Sequence, residues 1–156
     1  MITEQELIAK YPGIFRNLSH GDFECRSGWN EIIDRLCQSI CDAGLGGKVI
    51  AGQVKEKFGG LRFYYEGSSM LTEGEFKSLW SMLESAERES LVTCEGCGSR
   101  ESVHANYIGY MRTLCPECRA AWKEKAGRFR DMKSEAGVAG GHWAITMGKW
   151  RQNEQK

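Results

Sequence analysis

No apolar run in this sequence approaches the roughly 20 residues that a helix needs to cross a bilayer, which excludes a membrane-spanning helix bundle. Net charge is absent as well, since 21 Lys and Arg balance 21 Asp and Glu. A chain so balanced cannot hold a polyanion by bulk charge alone. Histidine is scarce, with three in all. That scarcity argues against nucleases of the ββα-metal type, which add a histidine-rich cation centre to paired cysteine knuckles. A nucleophile elbow, a phosphate loop, a His-Glu zinc motif and a paired-carboxylate signature are all missing, and the chain shows no internal repeat. The opening "MITEQELIAK" places acids where a signal peptide needs a basic start and an apolar stretch. The expectation is therefore a cytoplasmic protein whose thiols stay reduced.

Cysteine is not scarce. There are seven, an odd number that speaks against a pure disulfide framework. Four of them form two pairs, Cys94-x-x-Cys97 and Cys115-x-x-Cys118, separated by the 17 residues 98 to 114. This is the sequence form of a four-thiolate zinc site. Gly96 and Gly98 let the first knuckle close, and Pro116 sets φ at the start of the helix after the second. The strand-rich stretch "SVHANYIGYMRTL" can carry the second pair back to the first as a hairpin. A single pair could act in redox chemistry, but this one has a twin and lacks a βαβ setting. A catalytic zinc keeps one position for water, whereas four cysteines close the sphere, so the expected cofactor is structural Zn²⁺. His104 is the nearest other ligand type and falls in mid-hairpin; Cys25, Cys37 and Cys41 read as core thiols.

The remaining elements follow from spacing. Thr3-x-x-Glu6 and Thr72-x-x-Glu75 are capping boxes, the first opening a short helix to about Lys10 that Pro12-Gly13 ends with a turn. A helix from Gly28 to Ala43 places Trp29, Ile32, Ile33, Leu36, Cys37 and Ile40 on one stripe, with Gly44 positioned to end it. Val49 to Phe58 and Leu61 to Glu66 read as strands joined by a Gly59-Gly60 hairpin turn. Leu61, Phe63 and Tyr65 then face inward, leaving Lys55, Lys57, Arg62 and Tyr64 on the outer face. The helix after Thr72 turns Phe76, Leu79, Trp80, Leu83 and Ala86 inward. A last helix after Cys118 carries Trp122, Ala126 and Phe129 on one side and Arg119, Lys123, Lys125, Arg128 and Arg130 on the other. The expected fold class is α+β, with helices packed on a β-hairpin or small antiparallel sheet and a zinc-ribbon or treble-clef-like knuckle. Its parts are residues 1–92, a knuckle with basic helix over 93–133, and a Gly-rich, Trp-containing tail over 134–156, all within one compact unit.

"YPGIF", "GWNEIIDRLC", "QVKEKFGGLRFYY" and a helix running into "TCEGCG" and then "TLCPEC" resemble a family of small bacteriophage and prophage zinc-ribbon proteins. The resemblance covers roughly residues 11 to 122. It implies a phage-like origin and a zinc-bound α+β domain, and it implies no reaction. The expected function is a non-enzymatic one: binding and modulating, by inhibition, a protein in the bacterial host cytoplasm, such as a defence factor. Lys55, Lys57, Arg62 and Tyr64 of the hairpin, with Trp143 and Trp150 of the tail, form the expected contact surface, because aromatic and arginine side chains anchor interfaces. Trp143, Ile145 and Met147 alternate like a strand that could add to a sheet. The alternative is nucleic-acid binding through Arg119, Lys123, Arg128 and Arg130. Residues 1–93 hold 10 basic and 14 acidic side chains and residues 94–156 hold 11 and 7, a split that suits two mixed solvated surfaces, a nucleic-acid-facing end or two halves that attract each other.

Overall fold

Thr3 and Thr72 each accept a hydrogen bond from the backbone three residues on, while Glu6 and Glu75 reach back to the cap nitrogens. Both capping boxes are formed, and they start α1 (Glu4–Lys10) and α3 (Glu73–Ser90). The computed structural model describes residues 1–108 and 110–124. Between the two helices lie a 3-10 turn (Ser27–Trp29), α2 (Asn30–Asp42), β1 (Ile50–Lys57), β2 (Gly60–Glu66) and a second 3-10 turn (Ser68–Met70). After α3 come β3 (His104–Ile108) and β4 (Tyr110–Leu114), and residues 116–124 are again helical. The fold is α+β, with two two-stranded antiparallel sheets. No helix among the described residues is long and apolar enough to cross a membrane.

The second helix is regular only from Asn30, because residues 27–29 turn more tightly than an α-helix. Its predicted stripe is nevertheless the centre of the core: Trp29, Ile32, Ile33, Leu36, Cys37 and Ile40 are all buried. Gly44, at φ +73°, ends it. The Gly44 N–H donates to Cys41 O and the Leu45 N–H to Ile40 O, a Schellman arrangement that satisfies the last carbonyls. Leu7, Tyr11, Ile14, Phe15, Phe23, Leu45, Val49, Ala51, Val54, Leu61, Leu79 and Ala86 complete the main cluster. Burying each large aliphatic or aromatic side chain of this kind stabilises the fold by roughly 1.5–3 kcal/mol. A smaller cluster gathers Cys94, Leu114 and Cys115, with Val103, Cys118 and Trp122 packed on it.

The hairpin turns one residue earlier than its glycines suggest. Lys57 pairs with Gly60, so Phe58 and Gly59 occupy the turn, at φ +55° and +80°, the pattern of a type I′ connection. Gly60 instead opens β2, where a Cβ would lie 3.3 Å from Leu91 Cδ2 and 3.1 Å from Arg62 Nη1. Its glycine serves the close approach of the chain after α3. That contact also seals the β2 edge, since the Leu61 N–H donates to Ser90 Oγ at 2.8 Å. On the other edge, Glu24 bridges to Lys55.

Two inward assignments on α3 are overturned. Leu79 and Ala86 are buried, with Met82 and Leu83 packed beside them, but Phe76 is 42% exposed and Trp80 61%. At 100° per residue, Phe76 and Trp80 fall on the flank of the buried arc and stack on each other, with ring centroids 6.5 Å apart. Of the non-knuckle cysteines, Cys37 is buried and Cys25 half-buried, whereas Cys41 is exposed beyond the core stripe.

Candidate metal centre

The β3–β4 hairpin brings the second thiol pair back to the first. The thiols of Cys94, Cys97, Cys115 and Cys118 all lie within 4.8 Å of one another, and Cys97 and Cys115 are 3.7 Å apart. Tetrahedral zinc with bonds of about 2.3 Å would hold its sulfurs about 3.8 Å apart, so the spacing suits one such ion. Local backbone makes each knuckle. The Gly98 N–H donates to Cys94 O at 2.8 Å and the Cys94 N–H to Ser99 O at 2.7 Å, closing the first turn, with Gly98 at φ +77°. In the second, the Cys118 N–H points at Cys115 Sγ and the Arg119 N–H donates to Cys115 O. A Cβ on Gly96 would come within 2.9 Å of Cys118 Sγ, so only glycine lets the fourth sulfur approach.

The thiols do not titrate alike. Burial works against the Cys94 thiolate, yet backbone N–H groups of Cys115, Cys97 and Gly96 bring its pKa down to about 7. Burial and the surrounding thiols push Cys118 up. A backbone donor at Ser99 favours the Cys97 thiolate, but burial and its neighbours raise it overall. Cys94 thus accepts a negative charge readily while Cys97 and Cys118 resist one, a resistance that a divalent cation relieves. Outside the cluster, burial and the nearby carboxylates of Glu95 and Glu4 push Cys25 to about 12.

The knuckle is anchored to the main body. The Gly28 N–H donates to Glu95 O at 3.0 Å and the Glu95 N–H to Thr113 O at 2.9 Å. The Trp29 indole donates to Thr93 O at 2.8 Å, and Thr113 Oγ1 to Gly59 O at 2.6 Å. Gly28 has no room for a side chain, because a Cβ would sit 2.3 Å from Cys94 O. Glu95, between the first two thiols, is fully buried and pairs with Arg112 of β4 at 2.6 Å. Arg112 in turn lies over the Trp122 ring, 5.6 Å from its centroid. Burial raises the Glu95 pKa while Arg112 opposes the rise. Sequence reading missed this pair, and no local pattern announces a partnership 17 residues apart.

His104 starts β3 opposite Leu114 and does not belong to the thiol cluster. On the hairpin, Lys55 lies over the Tyr64 ring and Lys57 over that of Phe58. Arg62 is not free on the outer face, because it forms an ion pair with Glu87 of α3. Arg119 and Lys123 are exposed on the helical stretch 116–124. Arg128, Arg130, Trp143 and Trp150, like Ala126 and Phe129, lie outside the described residues. No protein-family model, curated protein or solved structure matches the chain.

Proposed function

We propose that the four cysteines hold a structural zinc ion, and that the chain is a non-enzymatic module that binds a protein of the bacterial host and modulates it in the cytoplasm. The observation that carries this reading is the cluster of four thiols within 4.8 Å of one another. Four protein sulfurs fill a tetrahedral sphere and leave no position for a reacting water. Reduced thiols suit a cytoplasm, and the resemblance to phage proteins supplies the host.

An exposed aromatic surface supports the choice of a protein partner. Gly60 approaches Leu91 and Arg62 pairs with Glu87, so β2 and α3 run in opposite directions. Tyr64, 42% exposed and on the same strand face as Arg62, therefore lies toward the Trp80 end of α3. Tyr and Trp exposed in this way are typical interface anchors. Lys55 lies over the Tyr64 ring, and Glu73 and Glu84 are paired with Lys77 and Arg88, so the rim is mixed in charge and the partner should present an apolar groove for the aromatic rings.

The test is affinity capture from bacterial lysate with the zinc-loaded chain, its Trp80→Ser variant and, as control, Lys77→Gln. The reading expects one protein captured in stoichiometric amount by wild type and control and lost with Trp80→Ser. Capture indifferent to Trp80, or no capture at all, overturns it. Metal analysis that finds no zinc bound to the purified chain overturns the structural part.

A further inference from the structure

We propose that the cleft between β3 and the helical stretch after the second thiol pair binds a phosphodiester group of nucleic acid, a site separate from the aromatic surface. The cleft has a volume of about 220 Å³ and is lined by Ser102, His104, Asn106, Arg119 and Lys123, over Leu114, Pro116 and Ala120. His104 and Asn106 share one face of β3 by strand alternation, and Arg119 and Lys123 share one helical face at i, i+4. Ala120 keeps the space between the walls open. The Asn106 side chain is buried and its amide donates to His104 O at 2.6 Å and Leu114 O at 3.4 Å, which holds the floor in place. Ser102, at φ +50°, closes one end.

The charge of this lining selects the ligand. No carboxylate is among the lining residues while two cations are, so a metal cation or an amine would meet like charge with no negative partner there. Arg100 and Arg112, the neighbouring arginines, are spent on Glu89 and Glu95. Among the described residues, Arg119 and Lys123 have no such ion pair. A guanidinium, an ammonium, a hydroxyl and an imidazole around one opening match a tetrahedral oxyanion with several acceptors. The adjoining cleft beside Cys97 is lined by Glu101 and Glu117, and a zinc tetrathiolate carries negative charge. An anion is thereby confined to the Arg119–Lys123 side. The volume lies below the roughly 300 Å³ at which enclosed small-molecule sites begin. It admits a phosphate group while the remainder of the ligand stays outside, as in a polymer backbone.

The experiment measures fluorescence anisotropy of labelled single-stranded and duplex oligonucleotides with the full zinc-loaded chain across a range of salt. Wild type is compared with Arg119→Gln/Lys123→Gln and with the charge-keeping Arg119→Lys. Both positions are exposed, and equal zinc content with an unchanged circular dichroism spectrum shows that each variant folds. The double variant should bind at least tenfold more weakly. Its salt slope for single strands should fall by about 0.7, the loss of the one phosphate seated in the cleft. Arg119→Lys should retain most of the affinity. Identical affinity and slope in wild type and double variant overturn the proposal, as does failure of wild type to bind either oligonucleotide. Inorganic phosphate is titrated in parallel by NMR. If it alone shifts His104 and Asn106 resonances, the nucleic-acid assignment falls.

Discussion

Glu95 and Arg112 show how much one side chain can hold. Glu95 Oε1 accepts from Arg112 Nη1 at 2.6 Å and from the Arg26 backbone at 3.3 Å, linking the knuckle, β4 and the approach to α2. Oε2 of Glu95 and Nε of Arg112 have no partner among the described residues, so the pair is incompletely compensated. Breaking a buried pair is worse than never having one, because a charge is left in low dielectric. The two partners differ in exposure, with no exposed surface on the Glu95 side chain against 23% on that of Arg112. Arg112→Met strands a fully buried carboxylate and should cost about 3 kcal/mol. Glu95→Gln leaves Arg112 with access to water and keeps an acceptor, so it should cost less than half as much. Urea denaturation of the zinc-loaded proteins checks the order, and equal losses would show that burial of Glu95 is not what sets the cost.

At the scale of elements, the start of α3 carries both a cap and an ion pair. Glu75 accepts from the Thr72 backbone at 2.8 Å and from Lys48, just before β1, at 2.6 Å. The Lys48 hydrogen bond first, and then the Thr72 backbone, hold its carboxyl at about 2 against an ordinary 4.5. Depression of a carboxyl pKa gives stability that is complete above the unfolded value and is lost as pH falls toward the folded one. The excess stability of wild type over Glu75→Gln should therefore be present at neutral pH and shrink as pH drops from about 4.5 to about 2. High salt should weaken it as well, since the pair is accessible to water. Urea midpoints of both proteins along a pH series measure it, and a difference that stays constant with pH would refute the assignment. Any acid loss of a bound metal acts on both proteins alike and cancels. These caps were legible in the sequence because Thr-x-x-Glu acts within four residues, and so was the α2 stripe with its Gly44 stop. What failed depended on neighbours distant in sequence. The hairpin glycines gave the right turn in the wrong register, because Gly60 sits in β2 against the side chains of Arg62 and Leu91 rather than in the bend. Phe76 and Trp80 looked like core because apolar spacing does not reveal how wide a strip the rest of the fold covers.

Over the whole molecule, the candidate metal centre and the main core are two clusters joined by few threads. The thiol spacing announced the four clustered thiols, since a pair of Cys-x-x-Cys turns is a local device. Their docking was not legible, as it rests on Gly28 meeting the carbonyls of Cys94 and Glu95 and on Thr113 reaching Gly59. The main cluster contains none of the four thiols. Its largest side chains, Trp29, Phe15, Leu7 and the isoleucines of α2, are buried among themselves. The second cluster has only Cys94, Leu114 and Cys115 at its centre, too little apolar burial to offset the conformational entropy of ordering its chain without a cation. Chelation should therefore unfold the molecule in part. Hydrogen exchange after metal removal should show the amides of Cys94, Glu95, Gly98 and Arg119 losing protection, while those of Ile33, Leu36 and Val54 stay slow. Trp29 is the reporter at the boundary. Its ring belongs to the main core, but its indole N–H ends on Thr93 O, so that proton should exchange faster with little change in ring burial. If instead α2 and β1 lose protection together with the knuckle, the two clusters fold as one cooperative unit, and the metal holds the main core as well as the hairpin it closes.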